Sequence, residues 1–172
     1  GTDGENSYQY MKWNDASFEV YTKGLLNTGK MMQEAEKINN KNYAAIGKFL
    51  RAYHFFNISL KVGSAPYSEA AKGESGITQP KYDAQEAIMS GILSELKEAN
   101  DLINTNDKIE GDIVYNGDAM KWKKLINSFR LKVLITLSKK TTVGNYNIAT
   151  EFASIAGSQS LMTSIADNGE LK

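Results

Sequence analysis

Five carboxylate and amide side chains crowd into the stretch "DKIEGDIVYNGD": Asp107, Glu110, Asp112, Asn116 and Asp118. Carboxylate and amide oxygens are ligands for hard cations such as Ca2+, yet this spacing is not that of an EF-hand loop. Acidic residues in a loop just ahead of a helix more commonly act as caps and turn-formers, so no metal is expected. Asp118 stands where a cap belongs, immediately before Ala119, and its carboxylate can accept the free amides of a first helical turn.

Catalytic chemistry finds little material. His54 is the single histidine and lies in the most apolar segment, where a packed imidazole is expected rather than a general base. There is no cysteine, which excludes disulfides, thiolate catalysis and cysteine-based metal sites. Nucleophile–base pairs therefore have almost nothing to draw on. The glycines of 63–76 lack the preceding strand and the lysine that a phosphate-binding loop requires. A carboxylate pair could run glycoside hydrolysis only across a cleft of roughly 5–10 Å, which spacing along a chain does not establish. No enzyme and no cofactor are expected.

Binding chemistry has better candidates. An exposed loop aromatic can stack on the apolar face of a small ligand, with nearby amides and carboxylates taking its polar groups. Tyr67, Tyr82 and Tyr115 are the loop aromatics, and Tyr115 has Asp112 and Asn116 beside it. The competing reading makes each a hinge-packing tyrosine with its hydroxyl bonded at a helix end.

The elements that must position these residues read as helices. Ile46, Phe49, Leu50, Tyr53, Phe56 and Leu60 recur at helical spacing within 43–62, and Phe55 and Ile58 add a second apolar face. The prolines Pro66 and Pro80 bracket the clearest irregular segment, 63–83. Asp83 followed by Glu86 reads as a capping-box variant that opens a helix carrying Ile88, Ile92, Leu96, Ala99 and Ile103. Trp122, Leu125, Ile126, Phe129, Val133 and Leu137 form the next stripe. Trp122 is thus expected in the core, Lys121, Lys124, Ser128 and Lys132 in solvent, and Lys139 and Lys140 at the negative end of the helix dipole. Residues 7–38 suit one long helix or two short ones, 145–157 a shorter one, and "DIVYN" (112–116) a minor extended piece. The tail from Ser160 is unassigned. The fold class expected is all-α, about five to seven helices in an antiparallel layer, with little or no sheet.

Length and charge agree with one globular domain spanning 1–172, at 41% hydrophobic and 23% charged residues. Twenty basic side chains balance twenty acidic ones with no like-charged block, so no nucleic-acid partner is expected. Apolar runs fall far short of the ~18 residues a membrane span needs. The chain opens on Gly1, which leads us to expect a piece of a longer protein.

Three stretches in fixed order resemble the SusD/RagB family of outer-membrane nutrient-binding lipoproteins, closest to its SusD-like branch. They are "NYAAIGKFLRAYHFFNISLKVGSAPYSEA" (42–70), "PKYDAQEAIMSGILSELKEANDLI" (80–103) and "GDIVYNGDAMKWKKLINSFRLKV" (111–133). The resemblance implies a tetratricopeptide-like scaffold and a cell-surface lipoprotein that is not an enzyme. It implies capture of an oligosaccharide or other nutrient for a TonB-dependent outer-membrane transporter. It places Gly111, Asp112, Tyr115, Gly117, Asp118, Lys121 and Trp122 at a loop-to-helix junction. Departures fall at Lys61 and Ser64, where acidic residues are usual, and at Met89, where an aromatic is common. Family members are several times longer and begin with a lipidated cysteine. A stand-alone helical interaction scaffold without a small-molecule ligand is the alternative. As part of a longer protein, the chain is expected to expose apolar surface near Tyr8, Tyr10 and Trp13 and along the tail after 157.

Overall fold

The computed structural model describes residues 23–70, 76–77, 79–157 and 160–169. Five α-helices follow one another among them: α1 (Leu25–Lys37), α2 (Lys41–Val62), α3 (Gln85–Leu102), α4 (Ala119–Thr136) and α5 (Ile148–Ala156). The strands β1 (Thr142–Val143) and β2 (Tyr146–Asn147) form a two-residue antiparallel hairpin before α5. The expected all-α layer is what forms. Tyr8, Tyr10 and Trp13 lie outside the described residues.

Polar stitches set the antiparallel order. At one end, the buried Asn42 side chain donates to the Asn104 carbonyl and accepts from its amide, at 3.1 and 2.7 Å. At the other, Gln85 Nε2 donates to the Ser59 carbonyl at 2.8 Å. Between these ends Ala45, Ala52 and Ser59 are fully buried at seven-residue intervals, and small side chains let helix axes approach closely. α1 runs back along α2: a Cβ on Gly24 would press on His54, and one on Gly47 would strike Met32.

Helix starts use local acceptors. Asn40, Asp118 and Asn147 each cap through a side-chain oxygen, accepting from Tyr43, Lys121 and Thr150 amides at 3.0–3.1 Å. Asp118→Ala is expected to cost about 1 kcal/mol, read from the midpoint of urea unfolding by far-UV circular dichroism.

The apolar stripes meet in one core. Ile88, Ile92, Leu96 and Ala99 of α3 are fully buried, as are Ile126, Val133 and Leu134 of α4. Phe129 receives the rings of Phe49 and Phe56 edge-on, at 5.7 and 5.4 Å. Tyr53 and Leu60, expected in the core, are 43% and 49% exposed, because α2 turns its small-residue seam and Phe55 inward instead.

Further expectations are corrected by the structure. Asp83 does not cap α3; the N-cap is Ala84, without a side-chain bond. Lys124 and Ser128 are not free in solvent, because the tail docks on them. Lys124 Nζ pairs with the Asp167 carboxylate at 2.7 Å, and Ser128 Oγ accepts the Met162 amide at 2.9 Å. Residues 112–116 make a turn rather than an extended piece, and α4 stops at Thr136, before Lys139 and Lys140.

Candidate functional site

Two loops carry the residues singled out from the sequence. The first, between α2 and α3, is closed at its neck by paired backbone bonds between Ala65 and Asp83. The Asp83 carboxylate then accepts from the Tyr67 and Ser68 amides at 3.1 and 2.7 Å. The Ser68 amide bond is the main reason its carboxyl is held below the usual range. Asp83 is thus a clamp on the "PYSEA" segment.

Tyr67 is fixed from both helices. Its hydroxyl donates to Glu95 Oε1 at 2.7 Å, and Phe55 meets its ring edge-on at 4.8 Å. Arg51 stacks its guanidinium 4.6 Å from the Tyr67 ring centroid, donates to the Tyr67 carbonyl at 2.8 Å, and pairs with Glu95. Burial pushes the Tyr67 hydroxyl pKa up. A Cβ on Gly91 would collide with this ring, so glycine is the residue that lets the loop lie on α3. Arg51 and Glu95 did not stand out in the sequence, since a salt bridge 44 residues apart leaves no local pattern.

Tyr82 is different: it is 73% exposed, one residue from the Asp83 clamp. Beside it, the Lys81 amide donates to the Glu69 carboxylate at 2.9 Å, which brings an acidic oxygen to the same surface.

The second loop is the turn 111–118. One carboxylate organises it. Asp112 accepts from the amides of Val114 (2.9 Å) and Gly117 (3.0 Å), from that of Tyr115 through both oxygens, and from the Trp122 indole at 2.9 Å. Desolvation alone would raise its pKa; these bonds outweigh it and hold the carboxyl below the ordinary value. Asn116 and Gly117 both take positive φ, 53° and 90°, to wrap the chain around the carboxylate.

Tyr115 is 7% exposed, its ring edge-on to Trp122 at 5.3 Å, so it offers no open face to a sugar. Burial likewise raises its hydroxyl pKa. Among the described residues no hydrogen bond or ring contact joins any two of Tyr67, Tyr82 and Tyr115. Nor do three His, Cys, Asp or Glu side chains converge there as a group able to hold a metal. His54 is half-buried, and desolvation lowers its pKa, which favours the neutral imidazole. No helix among the described residues is long and apolar enough to cross a membrane.

The family model described as "Starch-binding associating with outer membrane" matches residues 1–172. A SusD homologue from Bacteroides fragilis is 52% identical with a TM-score of 0.84, over 96% of this chain and 36% of its own. A Bacteroides vulgatus protein, described in relation to the outer membrane and nutrient binding, is 41% identical with a TM-score of 0.85, over 98% of this chain and 36% of its own. A chitin-binding protein is 27% identical with a TM-score of 0.73, over 90% of this chain and 33% of its own. The chain thus spans about a third of the length of these structures. No match was found among curated proteins.

Proposed function

The chain belongs to the SusD-like family, described as starch-binding and associating with the outer membrane, and from that premise we propose that it serves glycan capture at the cell surface. In this reading the protein binds and does not catalyse. It hands oligosaccharide to a TonB-dependent outer-membrane transporter, and a lipid anchor on the whole protein holds it there. The family match over residues 1–172 carries the proposal, supported by the starch and chitin named for its relatives.

Within this chain the sugar contact is assigned to Tyr82, the exposed loop aromatic, with Glu69 and Ser68 as hydroxyl partners. Tyr67 and Tyr115 serve as the packing that holds the loops. One open aromatic face without an enclosing pocket buries little of a ligand. Titration calorimetry with malto- and chito-oligosaccharides is therefore expected to give a Kd of about 1 mM or weaker. Tyr82→Ala should remove what binding there is. Micromolar binding that survives Tyr82→Ala would overturn the assignment, and its loss in Tyr115→Ala would move the site to the second loop.

A further inference from the structure

Between α3, α4 and α5 lies a polar pocket of about 380 Å3. Its α4 wall is formed by Lys123, Asn127 and Arg130, an i, i+4, i+7 spacing that sets all three on one helix face. This is not a solvated stripe: Asn127 is 4% exposed and Arg130 7%. A guanidinium carries five N–H donors and does not shed its charge. Arg130 donates to Asn127 Oδ1 at 3.3 Å, and its Nη2 stands 3.5 Å from the Glu151 carboxylate. Its Nε–H has no acceptor among the described residues. Asn127 is itself held from α3, donating to Asn100 Oδ1 at 2.9 Å. A buried cation with so few acceptors is costly unless something entering the pocket supplies them.

We propose that this pocket is an anion site taking one carboxylate, seated between the Arg130 guanidinium and the Lys123 ammonium. Charge favours a monoanion. Lys97 pairs with Asp101 at 3.1 Å and Arg130 with Glu151, which leaves Lys123 without an ion pair among the described residues. A phosphate dianion would bring a second negative charge against Asp101 and Glu151 with no cation left to balance it. The planar carboxylate also suits the guanidinium fork better than a tetrahedral anion does. The volume admits a single sugar ring, so the carboxylate can come from a uronic acid or from a free small acid. The site stands apart from the Tyr82 loop and does not depend on it.

Calorimetric titration of the intact chain with sodium glucuronate, sodium acetate and glucose tests this. Glucuronate is expected to bind and glucose not. Lys123→Gln should weaken glucuronate about tenfold, the loss of one charge-assisted contact. Arg130→Lys keeps the charge but not the fork and should weaken it similarly, with urea unfolding run alongside because the residue is buried. Acetate binding as tightly as glucuronate supports the site and assigns it to free carboxylates. Tighter binding of glucuronate than acetate assigns it to acidic sugars. Glucuronate heats equal to those of glucose, or unchanged in Lys123→Gln, overturn the proposal. Neutral oligosaccharide binding lost in Tyr82→Ala is a separate readout, so failure here leaves the loop assignment standing.

Discussion

Trp122→Ala is expected to destabilise the chain by about 3–5 kcal/mol, the range for removing a buried aromatic from a core. The ring is 5% exposed and lies between two partners, edge-on to Tyr115 at 5.3 Å and to Phe49 at 6.1 Å. Its loss opens a cavity where α4 meets both α2 and the 111–118 turn. It also removes the indole donor from Asp112. Trp122→Phe separates the two effects, since it keeps an aromatic ring and deletes only the N–H and part of the volume. It should cost about 1–2 kcal/mol, a hydrogen bond to a charged group with modest cavity formation. Urea unfolding followed by far-UV circular dichroism reads both. An alanine variant as stable as the parent would mean that the Trp122 ring does not hold α4 in the core.

What could be read from the sequence divides by range. The α3 stripe of Ile88, Ile92, Leu96 and Ala99 and the Asp118 cap depend on neighbours three or four residues away, and periodicity reports those directly. Asp83 shows the limit. Its spacing to Glu86 satisfies a capping pattern, but its oxygen finds the Tyr67 and Ser68 amides across the loop, and no local rule ranks the two. Lys124 and Ser128 look solvated until the tail places Asp167 and Met162 over them. The three loop tyrosines are alike in one dimension. Tyr115 is buried because the Asp112 turn folds it onto Trp122, while Tyr82 is open because the Asp83 clamp holds its neighbour. Asn127 and Arg130 escape notice for a related reason: polar letters on a helix read as surface, and only the packing of α3 and α5 against α4 makes them walls of a pocket.

Asp112→Ala should be nearly as damaging as the loss of the ring, at about 2–4 kcal/mol, although the side chain is small and partly exposed. The cost lies in what it leaves behind. Three backbone amides and the Trp122 indole lose their acceptor together, and an orphaned buried donor costs about 1–3 kcal/mol, less where water can reach it. The turn cannot easily refold around alanine, since the chain reverses through positive φ at Asn116 and Gly117 and the carboxylate holds the Gly117 amide at the end of that reversal. Asp112→Asn retains one acceptor oxygen. It should keep the Gly117 and indole bonds if that oxygen takes the Oδ2 place, leaving Val114 facing an amide N–H2, and so cost less than alanine. Acid titration gives an independent check with a definite sign. The folded-state pKa of Asp112 is depressed, so its contribution to stability is fully present above the unfolded value of about 3.9 and is lost as pH falls through the folded one. Asp167, held well below the carboxylate range first by Lys124 and then by the Thr163 amide, acts in the same direction. The parent should therefore lose stability between about pH 5 and the acid limit more steeply than Asp112→Ala, and the two unfolding free energies should converge as pH falls. Parallel curves for parent and variant would mean that the Asp112 carboxylate is not the group on which the turn depends.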